Sequence, residues 1–91
     1  MKAKGLNISY NSSYNRKRAD YSEHLLSRVS KRNLDLWKVD ETLRTGSIIK
    51  SRANKLCLSR YFGKDNETYV VIIQVRKQSI RVKTAWKRKG N

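Results

Sequence analysis

From Tyr21 onward, the hydrophobic pattern of the chain changes near Gly46. Before that point, apolar residues recur every third or fourth position. After it, they alternate or run together. Tyr21, Leu25 and Val29 are spaced by four, which aligns them on one face of a helix. The spacing predicts a helix from Tyr21 to about Arg32. Asp20 is its expected N-cap, and Glu23 three residues on completes a capping-box pattern. Asn33 suits the left-handed position at which helices end. A second helix is expected after Asp35, burying Leu36, Val39 and Leu43 and stopping at Gly46; the pattern leaves Trp37 undecided between core and surface.

Beyond Gly46 the period is that of strands. Ser47–Arg52 and Lys55–Phe62 are expected strands, the second with Leu56, Leu58 and Phe62 on one side. Residues 63–67 form a turn, and Thr68–Arg76, the most apolar stretch, is the expected central strand. Lys77-Gln78-Ser79 is a tight connection. The last strand starts at Ile80, with Ile80, Val82, Thr84 and Trp86 alternating against Arg81, Lys83 and Ala85. Near the start, Leu6, Ile8 and Tyr10 alternate with polar residues. Residues 1–19 therefore form either an edge strand or a basic arm, and residues 20–91 one domain. The expected architecture is α+β, with two N-terminal helices on one face of a three- to four-stranded antiparallel sheet. Leu25, Val29, Val39, Leu43, Ile72 and Val82 are its expected core.

A chain of 91 residues is too short to build a second core. The apolar run Tyr69–Ile73 falls far short of the roughly 20 residues that span a bilayer. No apolar segment follows Met1-Lys2-Ala3-Lys4 as a secretory leader would require. Cys57 stands alone, which suits a reducing, cytoplasmic setting and leaves no internal disulfide. His24 is also alone, and the seven acids are scattered, a poor endowment for a two-metal nuclease. The four glycines are isolated, so no phosphate-binding loop is present. No metal and no cofactor are expected.

Charge changes the picture most. Lys and Arg number 22 against 7 Asp and Glu, a net charge of +15. So strong a field favours a polyanionic partner, RNA first, because Lys and Arg release phosphate counterions. An acidic protein comes second. A membrane surface is disfavoured, since no basic helix carries a broad apolar face.

One constellation fits chemistry on RNA. His24, Arg28 and Arg32 share a helix row, and the sheet can add Arg60, Tyr69, Arg81, Lys83 and Thr84. Metal-independent RNA cleavage needs a base for the 2′-hydroxyl, an acid for the leaving 5′-oxygen and cations for the phosphorane. His is the usual proton carrier, and Arg matches phosphate geometry. With a single His, the second proton carrier must be a Tyr, a Lys or a hydroxyl relay. The plainer reading of the same row is a polar, solvated helix surface.

Residues 24–46, HLLSRVSKRNLDLWKVDETLRTG, resemble the opening of a family of small bacterial domains related to the BrnT toxins. The pattern is a His, an Arg four residues on, another Arg, a short turn, a capped second helix and a closing Gly. Val82-Lys83-Thr84-Ala85-Trp86 is similar to that family's Val-Thr-aromatic strand, with Lys83 and Ala85 spacing the signature residues apart. Asn33 stands where Gly is common. The resemblance spans roughly residues 22–86 and extends to the barnase–EndoU–colicin–RelE (BECR) group of metal-independent ribonucleases. It implies a RelE-like fold and a toxin-type endoribonuclease with His24, Arg28 and Thr84 at the active site and Tyr69 or Lys83 nearby. An acidic antitoxin or immunity protein is the implied partner.

The expected activity is thus cleavage of RNA, tRNA or mRNA, by 2′-hydroxyl attack. Arg16, Lys17, Arg18, Arg32, Arg60, Arg81, Lys83 and Lys87 would hold the backbone, with Trp86 stacking on a base. The alternative is a non-catalytic nucleic-acid-binding protein whose platforms come from Tyr10, Tyr14, Trp37, Tyr61 and Trp86. A small inhibitor of a host protein is a third class.

Overall fold

Ser22 starts the first helix. Its hydroxyl accepts a hydrogen bond from the Leu25 amide at 3.0 Å, an N-cap interaction, and donates to the Val82 carbonyl at 3.4 Å. In the computed structural model, which describes residues 7–9, 18–77 and 79–91 (backbone only at 7–9 and 18), the elements follow in the order β1 (Asn7–Ser9), β2 (Arg18–Tyr21), α1 (Glu23–Lys31), α2 (Leu36–Thr45), β3 (Ser47–Arg52), β4 (Lys55–Phe62), β5 (Glu67–Val75) and β6 (Ser79–Lys89). The helix thus begins two residues later than expected. Asp20 is a strand residue and not a cap, and Tyr21 reaches the core from β2 and not from α1.

At its far end α1 closes with a Schellman motif. Asn33 sits at φ 54°, the Leu34 amide bonds the Val29 carbonyl at 2.8 Å, and the Asn33 amide bonds that of Ser30 at 3.3 Å. This turn sends α2 back over the same face. Asp35 caps α2 without a side-chain bond, and its own amide donates to the Tyr69 hydroxyl at 2.8 Å. Gly46 ends α2, its amide bonded to the Thr42 carbonyl at 2.8 Å.

Among the described residues the sheet has six strands, in the order β1-β2-β6-β5-β4-β3. All neighbours are antiparallel except β2 and β6, which run parallel. The class, α+β, is as expected. The three- to four-stranded antiparallel sheet is corrected to a mixed sheet of six, because Asn7–Ser9 and Arg18–Tyr21 extend it past β6. β2 also crosses the expected boundary between residues 19 and 20.

Both helices cover one face. Leu25, Val39 and Leu43 pack there on Leu58, Tyr69, Val71, Ile73, Ile80, Val82 and Ala85. Val29 is half-buried against the same cluster. Ile72 is not part of it. It lies half-buried on the other side of β5, between two core residues on a regular pleat.

One irregularity decides which side chains share a face. Ile72 pairs with Thr84, but Ile73 pairs with Val82, so Lys83 is an extra, bulged residue on β6. The bulge shifts the alternation by one. Ile80, Val82, Ala85 and Lys87 face the helices, while Arg81, Thr84, Trp86 and Arg88 face away. The simple alternation of Ile80, Val82, Thr84 and Trp86 on one side is therefore corrected beyond Lys83.

Candidate nucleic-acid interface

Register pairing assembles the helix-free face of the sheet. Across it, Trp86 neighbours Val70 and then Ser59, Arg88 neighbours Thr68 and then Tyr61, and Thr84 neighbours Ile72 and then Cys57. Arg81 neighbours Gln74 and Lys55, and Lys50 and Arg52 extend the face onto β3. Trp86 and Tyr61 are its exposed aromatic residues, 36% and 38% accessible, and the Tyr61 hydroxyl donates to the Asn66 carboxamide oxygen. Val70, only 2% exposed, and Ile72 supply an apolar floor. Among the described side chains, five cations, Lys50, Arg52, Lys55, Arg81 and Arg88, thus share the face with one acid, Asp20, which is the register partner of Arg81. A basic surface with exposed rings binds single strands through phosphate contacts and base stacking. The Cys57 thiol also lies here, and its pKa is pushed up by burial against the counter-effect of Lys50.

Apart from Asp20, the acids lie on the helices or at the α2 N-cap, in the β4–β5 turn or on the helix side of β5. Lys38 is buried on α2, bonded to the Asp65 carboxylate in the β4–β5 turn and at 3.2 Å to Glu67 on β5. Its amine stands over the rings of Phe62 and Tyr69, 5.5 and 5.7 Å from their centroids. Lys87 also bonds Glu67, at 3.2 Å, and donates to the Asn33 carbonyl. The Lys38 amine bond holds the Asp65 carboxyl below the ordinary range, and Lys87 followed by Lys38 does the same for Glu67. Hydrogen bonding to Asp65, outweighing the desolvation that opposes it, raises the Lys38 pKa. These groups line an open polar cleft of about 540 Å³ beneath the start of α2. Among the described residues, no three His, Cys, Asp or Glu side chains stand together as a metal site requires. No helix there is long and apolar enough to cross a membrane.

The residues singled out from the sequence divide among three places. His24, Arg28 and Arg32 follow one row along α1, exposed at His24, half-buried at Arg28 and ending where the Arg32 guanidinium donates to the Ala85 carbonyl at 2.9 Å. That bond brings the row to the stretch of β6 beyond Val82, where β2 no longer pairs and Lys83 bulges. Arg81, Thr84 and Trp86 lie on the helix-free face. Tyr69, Arg60 and Lys87 lie on the helix side. Tyr69 is fully buried with its hydroxyl accepting from Asp35, and Arg60 is paired with Glu41 at 2.9 Å and stacked on Phe62. The structure does not bring Tyr69 together with Thr84. Trp37 is 57% exposed but on α2, edge-to-face with Phe62. Tyr10, Tyr14, Arg16, Lys17 and the Arg18 side chain lie outside the described residues.

Sequence reasoning missed Lys50, Arg52, Lys55 and Arg88 as members of the basic face. Their strand parities carried the signal, but only once pairing through β5 was known. It also missed Lys38, which nothing in a polar helix position distinguishes from a solvated lysine.

Fold and surface together define a small α+β protein with helices on one face of its sheet and a basic, aromatic surface on the other. The chain belongs to the family described as Domain of unknown function (DUF4258), whose pattern matches residues 21–87. No curated protein and no solved structure shows significant similarity to it.

Proposed function

We propose that this protein binds RNA across the helix-free face of its sheet and cuts it without a metal at the adjoining α1–β6 edge, as a toxin-type endoribonuclease of BECR kind. The observation that carries this reading is the Arg32–Ala85 bond. It ties the Arg32 end of the His24–Arg28–Arg32 row to the β6 segment that bulges at Lys83, next to Thr84. Bulges recur beside active sites because they re-aim side chains.

In this reading the ribose 2′-oxygen attacks phosphorus, the bond to the 5′-oxygen breaks, and a 2′,3′-cyclic phosphate remains. His24 carries one of the two protons, and the Lys83 amine or the Thr84 hydroxyl relays the other. Arg28 and Arg32 neutralise the phosphorane. Tyr69, buried and occupied with the Asp35 amide, supports the fold. A second reading, a binder without catalysis, is favoured by the exposure of Trp86 and Tyr61 among the five cations, which needs no His at all.

Incubation with total RNA in EDTA, followed by end-group analysis, separates the two. Fragments ending in cyclic phosphate are expected. His24→Ala should slow their formation by about 10²–10⁴ while binding persists. Wild-type protein that binds several classes of RNA and cuts none leaves only the second reading.

A further inference from the structure

We propose that the β3 edge is a docking site for an extended acidic peptide, which adds to the sheet as a further strand. β3 is the outermost strand on its side, so its outward amides and carbonyls have no strand partner among the described residues. All six of its residues are exposed, and Ile48 and Ile49 are 50% and 55% accessible. Single exposed apolar residues are ordinary. Two adjacent isoleucines on a free strand edge leave apolar surface for an added strand, while Lys50, Arg52 and the bulge beside them turn away strands that are not acidic.

The chemistry of the edge selects the partner. The register slips between Ile48 and Lys50, leaving Ile49 as the bulged residue and placing Lys50 and Arg52 on the helix-free side with Lys55. Every charged residue of β3 and of the strand end facing it is basic. A second copy of the chain would bring like charges together, on top of repulsion between two bodies of charge +15. A strand carrying carboxylates on one side and branched apolar residues on the other meets the cations with the first and Ile48 with the second. The backbone ladder gives such a peptide affinity, and the cations give it sign. RNA has no strand ladder to offer this edge. The site is also separate from the α1–β6 edge, because β4 and β5 lie between.

The test titrates the full chain with a synthetic peptide alternating valine and glutamate, read by backbone amide chemical shifts. Saturable shifts centred on residues 47–52 are expected, with much weaker binding of the valine–lysine counterpart. Lys50→Glu with Arg52→Glu should lower the affinity roughly tenfold. The milder Lys50→Gln with Arg52→Gln should lower it less, and Lys64→Glu in the opposite hairpin should leave it unchanged. Shifts centred on Trp86 and Arg88, equal binding of the two peptides, absence of binding, or dimerisation of the chain through β3 would each overturn the proposal.

Discussion

Replacing Gly46 by alanine tests the junction that turns α2 into the sheet. The backbone there, at φ −71° and ψ 163°, is one that any residue adopts, so conformational strain is not at issue. On freedom alone the change would stabilise by about 0.4–1 kcal/mol. The space is what forbids it. A Cβ would lie 2.5 Å from the Thr42 carbonyl oxygen, 2.9 Å from that of Ser59 and 3.1 Å from the Thr42 methyl. Two of these are backbone atoms, and Thr42 is fully buried with its hydroxyl donating to the Lys38 carbonyl. The helix end must therefore move off β4, at an overpacking cost of about 1–3 kcal/mol. Moving it also weakens the Gly46–Thr42 closing bond, worth about 0.5–1.5 kcal/mol. The net expectation is a loss of about 2 kcal/mol, or roughly 8–16 °C in melting temperature for a domain of this size. Thermal and urea unfolding followed by circular dichroism would measure it. Gly63→Ala is the control, since its Cβ would meet only the Tyr61 ring at 3.6 Å, and it should fall within about 0.5 kcal/mol of wild type. A Gly46→Ala protein as stable as wild type would refute the close approach of α2 to β4.

Tyr69→Phe should destabilise by about 1–3 kcal/mol, because the Asp35 amide loses its acceptor, while the proposed RNA cleavage by the folded protein stays unchanged; urea midpoints and initial rates together check this. Asp65 and Glu67 have folded pKa values below their ordinary ones, so their pairing stabilises the fold above about pH 5 and is lost as the pH falls through the depressed values. The raised pKa of Lys38 places the loss of its contribution above about pH 10.4. Lys38→Met should accordingly differ from wild type most near neutrality, the gap narrowing toward about pH 3 in urea unfolding. RNA affinity should fall steeply with salt, with a slope of log K against log salt of roughly −4 to −5 if about six phosphates are neutralised; a flat response in filter binding would refute the electrostatic reading of the basic face.

What the sequence disclosed followed from how local the cause was. The change of period at Gly46, the left-handed Asn33 and the strands between Ser47 and Val75 depend on neighbours along the chain, and they stand where the pattern predicts. β2 has four residues and a parallel partner far along the chain, so no local signal marks it, and Asp20 read as a cap in its place. The bulge at Lys83 is equally silent, because an extra residue alters the pleat without altering the residue types. It alone separates Thr84 and Trp86 from Ile80 and Val82, with which simple alternation groups them, and puts them on the basic face. The candidate site suffered most. His24, Arg28 and Arg32 were legible as a helix row, whereas their neighbourhood depends on pairings across the whole sheet.

The place of β6 between β2 and β5 also orders events during synthesis. Arg18 waits for Ser79, roughly sixty positions later in the chain, before the β1–β2 pair joins the rest of the sheet. β5 waits for the same strand on its other side. Closing so long a loop is slow, and the helices have no finished floor to settle on until it is done. Arg81, Trp86 and Arg88 arrive with that closing strand, so the basic face of the sheet is completed only when β6 joins it. A nascent chain that has not yet made β6 carries its charge without a shaped surface.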